Sequence, residues 1–149
     1  MPSFIVARHL GLKYNDLKEL LEKIKELSAR NSNNYLREGT LPETVKIFSG
    51  IISFKYGLEQ EIEIKTLDGL VKEKALQEIP VIFLDDEFIA IGLTTSEVQS
   101  KILRFLEKNF VKNITLTPIR FHEKTLRTVL ETSESVFQFD LKPTRRKLE

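Results

Sequence analysis

Apolar side chains run from Phe4 to Leu10 with few interruptions until Gly11, which predicts a short strand. Leu17, Leu20, Leu21, Ile24 and Leu27 then recur at steps of three and four, one buried stripe of an amphipathic helix. Asp16 followed by Glu19 is a capping-box-like pair at its start. Residues 28–42 are a polar loop rich in Asn and Ser. From Val45 the period changes to two. Phe48, Ile52, Phe54 and Tyr56 lie on one face of a long strand in which Gly50 reads as a bulge or bend and Gly57 as the end. Ile62, Ile64 and Thr66 alternate with charges, Asp68-Gly69 signals a hairpin, and the chain returns through residues 70–75. A break at residues 77–80 leads into a second hairpin, 81–84 and 88–91, around the acidic turn Asp85-Asp86-Glu87.

A second helix follows over residues 94–110. Thr94 with Glu97, or Ser96 with Gln99, caps it, and Val98, Ile102, Phe105, Leu106 and Phe110 form its apolar stripe. A strand over 114–121, a short helix over 123–132 and a strand over 136–141 complete the pattern. The order is β-α-β-β-β-β-β-α-β-α-β. It predicts an α+β domain spanning residues 1–141, an antiparallel sheet of five to seven strands packed by two main helices on one face. A basic tail, residues 142–149, follows, and its terminal Leu148-Glu149 reads as a cloning remnant. On that reading the natural chain continues further, and the present one is the N-terminal part of a larger protein.

Composition narrows the function classes. Lys and Arg number 23 against 22 Asp and Glu, so no bulk field favours nucleic acid or an anionic membrane. The absence of Cys excludes disulfides, thiolate metal sites and cysteine nucleophiles. No apolar run approaches the ~20 residues of a membrane helix, and the N-terminus lacks the pattern of a signal peptide. A cytoplasmic protein is expected. Abundant Lys and Glu with few Met and no Cys give it a thermophile-like composition.

Phe4–Ile24 is a strand ending in Arg8-His9 followed by a helix, and residues 116–130 repeat that plan around Arg120 and His122. A helix across a curved antiparallel sheet, duplicated in tandem, is similar to the architecture of TATA-binding-protein-like domains, a likeness of element order alone. If the two strands are neighbours, Arg8, His9, Arg120 and His122 can gather at one sheet edge and hold a phosphate. Arg145, Arg146 and Lys147 in the tail are further candidates for phosphate or acidic partners.

Two acidic groups suggest metal chemistry. Asp85, Asp86 and Glu87 offer hard oxygen ligands, although neighbouring residues on a strand point to opposite faces. Glu63-Ile64-Lys65 resembles the second half of the PD-(D/E)xK nuclease motif. The resemblance implies Mg²⁺ binding by Glu63, water orientation by Lys65 and Glu43 in place of the family's upstream Asp. The hairpin that follows departs from the helix expected there. Ile79-Pro80 before a strand and hairpin is similar to a thioredoxin-like half, but the Cys and the preceding β-α-β half are missing. The pattern therefore points to a non-enzymatic module, needing no cofactor, that binds nucleic acid or protein, with a homodimer as one form of partner. The alternative is a metal-dependent phosphodiester hydrolase.

Overall fold

The computed structural model describes residues 3–122. The elements are β1 (Ser3–Arg8), α1 (Leu17–Glu26), a 3₁₀ turn (Ala29–Asn31), β2 (Glu38–Phe48), β3 (Ile51–Thr66), β4 (Gly69–Phe83), β5 (Phe88–Gly92), α2 (Ser96–Asn109) and β6 (Thr115–His122). The strands form one antiparallel sheet in the order β2-β3-β4-β5-β1-β6. The fold class is thus α+β, with two helices against a six-stranded sheet. The described residues contain no helix long and apolar enough to cross a membrane.

Both helices lie on the same face. Leu20 and Ile24 of α1, and Val98, Ile102 and Leu106 of α2, share one buried cluster with Ile5, Phe54, Tyr56, Ile79, Val81, Phe83, Ile89 and Ile91. These strand residues alternate along their chains, as side chains on one face of a pleated sheet must. β1 sits inside the sheet between β5 and β6, and Phe4, Ile5, Val6 and Ala7 are all buried. A strand covered on both faces loses the polar alternation, and this accounts for the continuous Phe-Ile-Val-Ala run.

The ends of α1 are accounted for group by group. The Asp16 carboxylate accepts from the Glu19 N–H at 2.8 Å, and the Glu19 carboxylate accepts in return from the Asn15 N–H. At the other end, Thr40 of β2 is fully buried. Its hydroxyl donates to the Ile24 carbonyl and its N–H to the Leu27 carbonyl at 3.0 Å. Thr40 thereby satisfies two C-terminal carbonyls and fixes the helix to the sheet. Gly39 precedes it with φ of 149°, and a Cβ there would collide with the Leu27 carbonyl. For α2 the cap is Thr95, whose hydroxyl accepts from the Val98 N–H, one residue away from either expected cap.

Two differences from the expected order have local causes. Four strands, not five, lie between the helices. The predicted strand through Gly50 is two strands joined by Ser49-Gly50, both at positive φ (48° and 80°), with Phe48 paired to Ile51. This is the geometry of a tight hairpin, a full reversal where a bulge or bend within one strand is expected. Gly57 does not end a strand either. It lies within β3, and a Cβ there would stand 2.8 Å from the Leu41 side chain, so Gly serves packing. Likewise β4 runs unbroken through residues 77–80, because Pro80 lies one residue beyond the last β4–β5 pair, Val81↔Ile91. Part of the expected 28–42 loop is already β2. The expected helix over 123–132 and strand over 136–141 fall outside the described residues.

Thr40→Val keeps the shape of the side chain but leaves the Ile24 carbonyl buried without its donor. It should destabilise the fold by ~1–3 kcal/mol, read as a lower urea midpoint with an unchanged slope.

Candidate functional site

The register of β1 and β6 spreads the four strand-end positions along the ladder. β1 and β6 are neighbours, but they run antiparallel. Arg8 stands opposite Thr115, whereas Arg120 pairs with Ile5 and His122 with Ser3. Five residues of strand, about 17 Å, separate the Arg8 and His122 positions. His9 is also turned inward and is 2% exposed. Its Nδ1 accepts from the Gly11 N–H at 3.2 Å, so Nε2 carries the proton of the neutral ring, and Nε2 has no hydrogen-bond partner. Burial lowers its pKa against the opposing pull of Asp85, Asp86 and Glu87. Arg145, Arg146 and Lys147 lie outside the described residues.

The metal readings meet geometric obstacles. Asp85 Oδ1 accepts from the N–H groups of Glu87 and Phe88, both at 2.7 Å, which closes the turn as an Asx motif. Glu87 is ion-paired to Arg8 at 2.6 Å. Glu43 is held by both guanidinium nitrogens of Arg30, at 2.7 and 2.8 Å, and this keeps its carboxyl near a pKa of about 2. It lies beside Thr44, whose hydroxyl accepts from the Lys55 N–H. Glu63 is eight residues further along β3, about 26 Å away. From the end of β3 nearest Asp85, where Ile52 pairs with Phe83, Glu63 is eleven residues or about 36 Å distant. No cation can bridge such gaps. No group of three or more His, Asp or Glu among the described residues is placed to hold a metal.

Two other features stand out. The first is the distal part of the β3–β4 hairpin. β2 flanks β3 only as far as Leu58, and β5 flanks β4 only from Val81. On the helix-bearing face the core ends at a polar step: the Gln60 amide donates to Gln77, and Gln77 donates to the Thr94 hydroxyl. Beyond it the pairs Glu61↔Lys74 to Thr66↔Gly69 continue as a free two-stranded arm. One face carries Ile62, Ile64 and Val71, exposed at 39, 41 and 42%, with Glu73 opposite Ile62, and Leu67 is fully exposed at the tip. The other carries Glu61, Glu63, Lys65, Lys72 and Lys74. Tyr35 steadies the base, donating to Glu61 at 3.2 Å beneath the Lys74 ammonium, 4.1 Å from its ring centroid.

The second feature is a cleft of about 520 Å³ between α2 and the segment after the 3₁₀ turn. Lys101, Arg104 and Lys108 form one wall, Ser32 and Asn34 face them, and Phe105 packs on Tyr56 at the floor with ring centroids 5.0 Å apart. Neither feature was apparent from the sequence. The arm was legible as a hairpin, but where its neighbours stop is a matter of register. The three cations occur at helical spacing, on a face that reads as solvated surface.

Because His9 is buried neutral, acid must charge it at a cost. Its folded pKa lies below that of the unfolded chain, so its contribution is complete above about pH 6.5 and falls as the pH drops below that value. Stability measured by urea titration should decline between pH 7 and pH 5, and His9→Asn should flatten the decline.

No protein-family model matches this chain, and no curated protein matches it.

Proposed function

We propose that the protein is a non-enzymatic binding module that engages another protein through the β3–β4 arm. One observation carries this reading: an arm of six strand pairs leaves the sheet with a face on which Ile62, Ile64 and Val71 surround one carboxylate, Glu73, and with both edges uncovered by other described elements. A two-stranded ribbon is marginal in water by itself. Exposed Ile, Val and Leu on it gain nothing from the core beyond Gln60 and Gln77. A partner that covers them recovers ~25 cal/mol for each Å² of apolar surface buried. The open edges add main-chain donors and acceptors for a strand of the partner.

Charge favours protein over nucleic acid at this surface. Between Glu61 and Lys74 the arm carries four carboxylates and three lysines, a net negative element that repels phosphate. Strand register separates Glu63 and Lys65 from Glu43 and from the acidic turn, which speaks against a shared hydrolytic metal. The TATA-binding-protein-like likeness finds support in two helices on one face of an antiparallel sheet and contributes no partner. A second copy of the chain is one protein able to cover the arm, and so is an element of a larger polypeptide.

The test is a photo-crosslinking residue at position 64 on the apolar face, compared with position 18 on the outer surface of α1. In extract of the source cells, position 64 should give a discrete protease-sensitive adduct. Position 18 should give none, and Ile62→Lys should abolish the adduct at position 64. A nuclease-sensitive adduct, or equal labelling from both positions, would contradict the proposal. Replacing residues 61–74 by Asn-Gly should shift folding stability by less than ~1 kcal/mol while eliminating the adduct.

A further inference from the structure

We propose that the cleft beside α2 binds a small phosphorylated molecule, with Arg104 and Lys108 holding the phosphates. This site is separate from the arm and does not depend on the arm's role. Steps of three and four residues place Lys101, Arg104 and Lys108 on one side of α2, in a row spanning ~10 Å along the helix axis. That length suits two phosphates in succession. The cations are not consumed by the fold. Among the described residues no ion pair engages the side chain of Arg104 or Lys108, and Lys101 reaches Glu38 only at 3.7 Å.

The opposing charges are few and already occupied. Glu38 is the one carboxylate among the described residues lining the cleft, and it accepts from the Tyr56 hydroxyl at 3.1 Å besides its contact with Lys101. The negative end of the α2 dipole lies close by, yet lysines from elsewhere cover it. Lys13 Nζ donates to the Glu107 carbonyl at 2.7 Å, and Lys23 Nζ to the Asn109 carbonyl at 3.0 Å. An anion in the cleft therefore meets the cationic wall without repulsion from open carbonyls.

Shape and floor define the rest of the ligand. A volume of about 520 Å³ is in the range of small-molecule sites. Phe105 and Leu27 supply an apolar surface for the body of the molecule, and Ser32 and Asn34 supply neutral polar groups across from the cations. The guanidinium of Arg104 offers two parallel N–H groups for one phosphate. Lys108 supplies a point charge for the next.

Isothermal titration of the full chain with pyrophosphate, ADP and adenosine tests this. Pyrophosphate and ADP should bind saturably and adenosine should not. Arg104→Gln and Lys108→Gln should each weaken both by about tenfold or more, as expected for lost charge-assisted contacts. Lys18→Gln, which removes a distant surface cation, should have no effect. All three substitutions are at exposed positions, and unchanged thermal midpoints would confirm that the fold is retained. Failure of both phosphates to saturate by ~10 mM, an undiminished affinity in Arg104→Gln, or an equal loss in Lys18→Gln would overturn the proposal.

Discussion

Phe54, Phe83 and Phe110 form a closed triangle with every pair of ring centroids 5.9 Å apart, and the remaining packing is organised around it. The three rings come from β3, β4 and the C-terminus of α2. Each contributes roughly 1.5–3 kcal/mol by leaving water, with a further ~0.5–1.5 kcal/mol for each edge-to-face contact. Phe110 is able to serve because its N–H still bonds to the Leu106 carbonyl while its ring turns under the helix. Tyr14 extends the cluster toward α1, and Phe105 and Tyr56 extend it along α2. In this way hydrocarbon rings set the height and direction of α2, and so decide which of its faces points away from the sheet.

Both functional features are consequences of where that aromatic packing stops. Along α2, Ile102 and Leu106 face the core, which leaves Lys101, Arg104 and Lys108 lining the cleft. Along β3 and β4, the last buried pair is Tyr56 with Ile79; Leu58 lies opposite Gln77, and Gln60 and Gln77 then end the core with amides. From that step onward no third layer among the described residues covers the hairpin. The segment holding Ser32, Asn34 and Tyr35 touches both places, since it lines the cleft and supports the base of the arm.

Local signals were the legible part of the sequence. The capping pair Asp16–Glu19, the two apolar stripes and the acidic turn at Asp85 each depend on residues a few positions apart, and each forms as the pattern predicts, except that Leu17 at the start of the first stripe is exposed. Ser49-Gly50 was harder, because a Ser in place of Asn or Asp weakens the hairpin signal and the apolar alternation continues across it. Gly57 and Pro80 misled for a different reason: both are breakers in isolation, and both are accommodated by a particular neighbour in the next strand. The candidate chemistry was least legible. Whether Arg8 approaches His122, or Glu43 approaches Glu63, is decided by strand direction and register. Those are set by the whole sheet and not by any segment of it. The free arm and the cleft are set by the same whole-sheet register.

The central claim is that the fold ends, energetically, at Gln60 and Gln77, leaving a hairpin arm available for binding. Amide hydrogen exchange of the isolated protein at low denaturant tests it most directly. Amides of Phe54, Tyr56, Val81 and Phe83 should exchange only through global unfolding, with rates that rise steeply with urea. Amides between Glu61 and Lys74 should exchange orders of magnitude faster, through local opening insensitive to urea. Protection of the arm to the same free energy as the core would contradict the account.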